Sequence, residues 1–484
     1  MKEDQPISDC IPTRVLVALL AIVILATGTV QAQTTWYVDD DAPGDPCHGD
    51  PTCSDPNEAG TPEHPFDAIQ EGIDAASDGD TVLVLDGTYT GAGNRDLDFA
   101  GKAITVRSAN GPDSSTIDCE GALDDLHRGF YFHSGELVDS IVDGFTIING
   151  LVAFGGGIYC FFSSPRINNC VITGNTVHLD GGGIWCYQDS SPLIANCTIT
   201  GNSVRLEGGG GGIYCYQGSS PTIANCMIAD NAATREGGGI YVFDGSPKIT
   251  NCTIAGNTAS PGGGIYCFQP STPTICNCTI TENSGSGITA DGFQSRPTVF
   301  NSILWRNSPH EIELDELNPG DPVVRYCDVE GGWEGNGNID ADPLFGDPNN
   351  SDYRLSPGSP CIDAGCNWGV PPDTADLDGD GNTDEYTPLD LDGEGRFFDD
   401  PNTADTGCGS APLVDMGAYE FGGTGPQPCF GDLDDDRDVD LADLATLLAV
   451  YGDSGTCQGD LDCDGDVDLS DLATLLAVYG TTCE

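Results

Sequence analysis

The chain has 484 residues, with 16 Lys and Arg against 77 Asp and Glu, a formal charge of −61. Such a surface repels phosphate backbones and anionic lipid, which excludes nucleic acid and acidic membranes as partners. It favours calcium and a well-solvated exterior, and the 66 glycines suit a fold with many tight corners.

Residues 1–32 read as a secretion signal. Lys2 and Arg14 flank a short polar start, Val15 to Thr27 is apolar but short for a bilayer span, and Val30-Gln31-Ala32 looks like a small-residue cleavage site. An uncleaved anchor is the alternative. With cleavage, the mature chain starts near Gln33, outside the cell and without membrane insertion, where disulfides can form. Among the 22 cysteines, Cys47 with Cys53, Cys361 with Cys366 or Cys408, and pairs among Cys429, Cys457, Cys463 and Cys483 are candidate bridges.

Trp36 to Val38 reads as a first strand. Pro65 can open an amphipathic helix with Phe66, Ile69, Ile73 and Ala76 on one side, which would cover the open end of a stack of strands. A strand over residues 80–85 follows. Irregular strand segments then cover residues 102–107, 116–119, 129–132 and 140–148.

From Gly155 to Asn307 the chain repeats. A glycine run, an isoleucine and an aromatic recur at Ile158-Tyr159, Ile184-Trp185, Ile213-Tyr214, Ile240-Tyr241 and Ile265-Tyr266, with isoleucines 26, 29, 27 and 25 residues apart. Each copy continues with a proline and an asparagine (Asn169, Asn196, Asn225, Asn251, Asn277, Asn301). A cysteine follows at once (Cys170, Cys197, Cys226, Cys252, Cys278, with Ser302 last). Five residues later stands a second asparagine (Asn175, Asn202, Asn231, Asn257, Asn283, Asn307). The segments between are short, β-branched and alternating, so each copy is one coil of two or three short strands. The stretch resembles the pectin-lyase-like proteins, which implies a right-handed parallel β-helix; that architecture hosts many functions. Alternation points Ile158 and Cys160 inward and Tyr159 and Phe161 outward. The cysteine columns read as reduced, packed ladders, since free cysteine behaves as a small hydrophobe; disulfides or metal ligation are the alternatives. Both asparagine columns read as structural ladders bonding along the axis.

Residues 323–329 and 339–345 read as closing coils. Residues 359–421 form an acidic closing segment, bracketed by Ser359-Pro-Cys-Ile-Asp-Ala-Gly365 and Val414-Asp-Met-Gly-Ala-Tyr-Glu420. This pair resembles the choice-of-anchor Q end of secreted bacterial β-helix proteins, which implies no chemistry. Inside it, Asp376, Asp378, Asp380 and Asp384 alternate around a glycine turn, a pattern that suits calcium; a solvated acidic loop is the alternative.

Residues 422–428 are a linker by composition. The tail, 429–484, then repeats at 28 residues. Asp432, Asp434, Asp436, Asp438, Asp440 and Asp443 occupy positions 1, 3, 5, 7, 9 and 12 of an EF-hand-type loop, and Asp460, Asp462, Asp464, Asp466, Asp468 and Asp471 repeat them. Each loop runs into a one-sided apolar helix, Leu444 to Tyr451 and Leu472 to Tyr479, stopped by Gly452 or Gly480. This arrangement resembles a type I dockerin, which implies Ca2+-dependent folding and docking to a cohesin-type module. It departs from the pattern at Arg437, which replaces the loop glycine, and at Leu441-Ala442 and Leu469-Ser470, which lack the hydroxyl pair of familiar cohesin recognition.

Two outward aromatic columns run along the coils: Tyr159, Trp185, Tyr214, Tyr241 and Tyr266, and Phe161, Tyr187, Tyr216, Phe243 and Phe268. They either hold sugar rings or stack on one another. Beside the glycine runs, Asp180, Glu207 and Glu236 with His178, Arg205 and Arg235 could work on a glycosidic bond, or form a solvated turn. Asp124-Asp125 with His127 and Arg128 stands isolated in an early coil. The catalytic signatures of polygalacturonases and pectate lyases are absent. The chain therefore reads as an all-β, right-handed parallel β-helix solenoid over residues 33–421, followed by a small α-helical dockerin-like calcium-binding domain. The expected function is a non-catalytic extracellular module that binds polysaccharide or a surface partner. The alternatives are a polysaccharide lyase or glycoside hydrolase recruited by its dockerin, and an adhesion protein without a glycan ligand.

Overall fold

The computed structural model describes residues 33–40 and 57–422, apart from 316, 318, 384 and 410, and residues 444, 445, 447, 448, 451, 472, 475 and 476. The chain divides into two units, Met1–Thr34 and Thr35–Glu484, and the second holds every coil. The secretion signal, the Cys47 and Cys53 pair and the tail cysteines lie outside the described residues.

Three long parallel sheets run through the coils, beside a short fourth of Leu151–Phe154, Thr176–Asp180 and Ser203–Val204. An eleven-stranded sheet extends from Thr35–Val38 to Val323–Arg325, a ten-stranded sheet from Gly87–Tyr89 to Asp328–Val329, and an eight-stranded sheet from Phe130–Phe132 to Ile312–Leu314. The chain visits them in turn, as in Ile158–Phe161, Arg166–Asn168 and Val171–Thr173. Strand pairing is in register from coil to coil: Ile158 pairs with Ile184, Ile184 with Ile213, Ile213 with Ile240, and Ile240 with Ile265. One side of every strand therefore faces a continuous core of stacked isoleucines and cysteines, with Ile158, Cys160, Ile172 and their counterparts fully buried. Among the described residues no helix is long and apolar enough to cross a membrane.

The cap helix spans Ile69–Ala75 and sends Ile69 and Ile73 into this core. It starts later than the proline suggested. Phe66 is held in a parallel bridge to Val38, its amide donating to Tyr37 O at 2.8 Å, and the side chain of Asn94 accepts from the Ile69 amide at 2.8 Å. Gly72 has no room for a side chain, since a Cβ there would lie 2.6 Å from Val82. At the other end, residues 323–329 do close the stack. Of residues 339–345, Ile339 stacks on the last coil by a parallel bridge to Asp328, its amide donating to Cys327 O at 2.9 Å, but no full coil follows: Phe345–Asp347 pairs antiparallel with Asp352–Leu355.

The cysteines of the coils are buried and unbridged. In the second column each thiol donates to the carbonyl two residues earlier, at 3.0 Å from Cys170 and 3.1 Å from Cys197, Cys226 and Cys252. The Ser302 hydroxyl makes the same bond at 2.7 Å, which explains why serine stands there. The bridge in the closing segment joins Cys366 to Cys408, and Cys361 is a free, buried thiol rather than a partner of either.

The two asparagine columns do different things. The Asn175 column is a ladder along the axis. The Asn202 carboxamide oxygen accepts from Asn175 N and Nδ2 at 3.1 and 3.0 Å; Asn231, Asn257, Asn283 and Asn307 repeat the pattern for the coil before, while each Nδ2 also donates to an isoleucine carbonyl such as Ile228 O, 2.8 Å from Asn257. The ladder ends on Glu311, whose carboxylate takes both donors of Asn307. The Asn169 column does not bond mainly along the axis. Its members sit in left-handed turns at φ 48–53°, and four of them face the closing segment: Asn225 donates to Asp390 O at 3.1 Å, Asn251 to Leu389 O at 2.5 Å, Asn277 to Asp415 O at 3.4 Å and Asn301 to Cys366 O at 3.0 Å. The segment is thus clamped across consecutive coils. Its fully buried Arg396 reaches Asn251 Oδ1 at 3.0 Å and the carbonyls of Gly417 and Ala418 at 3.1 and 2.8 Å.

Residues 444–445, 447–448, 472 and 475–476 are helical, within the two expected tail helices, and Leu447 and Leu475 are buried.

Asn257→Ala strips two donors of Asn231 and the Ile228 carbonyl of their partners in a dry interior, so urea unfolding should show a loss of about 3 kcal/mol or more. Burial pushes the Glu311 carboxyl up to about 7, against the pull of the Asn307 donors. Its folded pKa exceeds the ordinary carboxylate value, so the stabilisation is complete below about pH 4.5 and lost as pH rises through about 7. Melting temperature measured in chelator should fall between about pH 5 and pH 8, and Glu311→Gln, which keeps an amide-type acceptor for Asn307, should flatten part of that fall.

Candidate functional site

The outer face of the eight-stranded sheet carries the aromatic columns, because alternation puts every second residue outside while isoleucine and cysteine fill the core. In the first column, ring centroids are 4.6 Å apart for Tyr159 and Trp185, 6.5 Å for Trp185 and Tyr214, 4.5 Å for Tyr214 and Tyr241, and 5.1 Å for Tyr241 and Tyr266. The stack begins a coil earlier than the sequence suggested, at Tyr131, and Phe154 lies 4.2 Å from Trp185. In the second column, Phe161 to Tyr187 is 5.5 Å, Tyr187 to Tyr216 5.6 Å, Tyr216 to Phe243 4.9 Å and Phe243 to Phe268 5.3 Å.

The columns differ in exposure. Trp185, Tyr214 and Tyr266 retain only 6, 7 and 5 % of their surface. Tyr159 and Tyr241 of the same column are half-buried. The glycine runs press against this column. Gly181 and Gly210 turn with φ of 68° and 67°, so close beneath the aromatic that a Cβ would lie 2.7 Å from the Cβ of Trp185 or Tyr214. The second column lies beyond the glycines, and all five of its rings stay half-buried. Both columns therefore self-stack, and partly open rings remain at all five positions of the second column and at Tyr159 and Tyr241 of the first.

The acidic edge divides in a similar way. Asp180 accepts from the Gly209 amide at 3.0 Å, and its carboxyl is raised by burial despite that bond. Glu236 pairs with Arg235 at 3.6 Å, and Tyr266 donates its hydroxyl to Asp291 at 2.5 Å. These groups share one edge: Arg235 acts on Asp180, and both Asp180 and Glu236 act on Tyr241. Glu207 and Arg205 are not part of it. Both are exposed, and Arg205 lines a separate depression with Asp118 and Glu120. His178 is half-buried.

The isolated group in the early coil gains partners from the coil before. His127 Nδ1 lies 2.5 Å from Asp96 and Nε2 lies 2.9 Å from Asp125. Arg95 meets Glu120 at 3.3 Å and Asp125 at 3.5 Å, and Arg128 sits 4.9 Å from the ring centre of Tyr131 and 5.0 Å from that of Tyr159. Burial lowers the Arg128 guanidinium from its usual value. Asp124 is exposed. No motif could have found this cluster, because Asp96 stands 31 residues before His127.

Of the loop expected to take calcium, Asp376, Asp378 and Asp380 each bring a carboxylate oxygen within 4.8 Å of the others, and Asp384 lies outside the described residues. Asp373 and Glu385 meet Asp378 in the same way, and one Glu385 oxygen is buried without a hydrogen-bond partner. This donor set fits a hard cation. The twelve tail aspartates, Asp432 to Asp471, lie outside the described residues.

Burial raises the phenols of Tyr159, Tyr214, Tyr241 and Tyr266 above the ordinary value of about 10. In an alkaline titration followed by ultraviolet absorbance, these four should ionise only together with the loss of strand circular dichroism.

The family described as Right handed beta helix region matches residues 126–261 and 236–335. No curated protein matches the chain. Among solved structures, it is similar to pectate lyase Pel9A, at 15% identity over 80% of this chain and 97% of that one, with a TM-score of 0.49. It is also similar to a rhamnogalacturonan lyase, at 15% identity over 64% and 90%, TM-score 0.42. A pectin methylesterase from Aspergillus niger matches at 15% identity over 65% and 87%, TM-score 0.26. The matched repeats and the three in-register sheets make the coils a right-handed parallel β-helix.

Proposed function

We propose that this is an extracellular β-helix protein that holds polysaccharide along its second aromatic column without cleaving it, and that a calcium-dependent, dockerin-like tail tethers it to a cohesin-type partner. The observation that carries the reading is the unbroken row of Phe161, Tyr187, Tyr216, Phe243 and Phe268, half-buried and at stacking distance across five coils. Fixed rings with apolar faces, and polar tips on the tyrosines, suit sugar rings, and their order is already set by the sheet, so little side-chain entropy is lost on binding. The apolar start and small-residue site within residues 1–32 support export, and the aspartates at matching positions of two tail loops support calcium.

A second reading, polysaccharide cleavage, is favoured by one observation. His127, lodged between Asp96 and Asp125, stands near Arg128 at the start of the aromatic face. An imidazole ordered by carboxylates can move a proton at a glycosidic carbon or oxygen.

The test uses the full chain on a panel of neutral and acidic polysaccharides. Pull-down on an insoluble member should show binding that Tyr187→Ala with Tyr216→Ala weakens at least tenfold, with unchanged circular dichroism. No new reducing ends should form. Reducing ends that vanish in His127→Ala would replace the binding reading with the cleavage reading.

A further inference from the structure

The motif Ser359 to Gly365 opens the closing segment without an assigned task, and its aspartate is in an unusual position. Asp363 is fully buried, and neither of its carboxylate oxygens has a hydrogen-bond partner. A buried, unpartnered carboxylate is costly enough that chains retain one only where something else satisfies it. Two exposed carboxylates face it. Oxygens of Asp363, Asp399 and Asp405 all lie within 4.8 Å of one another. Burial raises this carboxyl first, then the charges of Asp399 and Asp405, to about 6.

We propose that Asp363, Asp399 and Asp405 form a calcium site that the sequence pattern does not announce, separate from the Asp376 loop and from the tail. Oxygens on opposite sides of one Ca2+, each about 2.4 Å from it, stand a little under 5 Å apart, so the observed spacing accommodates a single ion. Asp363 supplies the buried floor, and the two exposed aspartates leave a mouth through which water completes the six to eight ligands calcium takes. The backbone holds the ligands in place. Asp363 turns left-handed at φ 51°, its amide donates to Asp415 at 2.7 Å, and its carbonyl accepts from Thr406 and Gly407 at 3.0 and 3.1 Å. The Cys366–Cys408 bridge ties the two ligand-bearing stretches together three residues beyond each end. A bound ion would therefore join residues 359–366 to 399–408 within the closing segment.

The experiment is equilibrium dialysis of the full chain against radioactive Ca2+ at about neutral pH. Counting ions per chain separates this site from any others, because only the difference between variants is read. Asp399→Asn with Asp405→Asn, at exposed positions that leave the core intact, should bind one ion fewer than the natural chain. Asp363→Asn should lose the same single ion, and in chelator it should melt higher than the natural chain, because it removes a buried charge. A calcium count unchanged in the exposed double variant overturns the proposal, whether or not Asp363→Asn folds.

Discussion

Every part of this molecule depends on coils stacking in register, so that each residue type stands over its own kind. Parallel pairing supplies the backbone hydrogen bonds, but isoleucine over isoleucine would tolerate a slip of two residues. The Asn175 ladder does not. A carboxamide accepts from the coil before and donates to the coil after, and only another carboxamide at the same height completes it. A slipped coil would bury unpaired amides, which is a steeper penalty than any loss of apolar contact. The ladder therefore sets the register that the hydrophobic core only permits.

Much of this was legible in the sequence because repetition removes ambiguity. One alternating hexapeptide cannot be told from a buried helix segment, but five copies at nearly constant spacing can. The inward isoleucines, the reduced cysteines and the outward aromatics follow from that spacing. What failed was long range. The Asn169 column has the same periodicity as the Asn175 column, and periodicity could not say that one bonds along the stack while the other holds residues 366–415 against it. Pro65 was a fair helix start by local rules, but pairing of Phe66 with Val38 took the backbone first. Cys361 and Cys366 stand close in sequence, yet it is Cys408 that the fold returns to Cys366.

The candidate site was legible by type and less so by place. The aromatic columns were found as columns, but a period cannot say that Trp185, Tyr214 and Tyr266 are buried while Tyr159 and Tyr241 of the same column are half-buried. The acidic edge lost Glu207 because a longer turn between the second and third repeats carries it out to solvent, while Asp180 and Glu236 stay beside the tyrosines. The His127 cluster needed Asp96 and Arg95 from another coil, and irregular early coils have no period from which to compute that meeting.

The closing segment also changes the mechanics of the stack. A bare solenoid, in which each repeat touches only its neighbours, unravels coil by coil when pulled from its end. Here the coils are followed by a closing segment, residues 359–421, fastened to coils from Asn225 to Asn301 and locked by the buried Arg396. Tension arriving from the C-terminal side is first borne by that segment. It meets several side-chain bonds in parallel rather than one strand edge in series, and the coils behind it are shielded until the whole fastening shears.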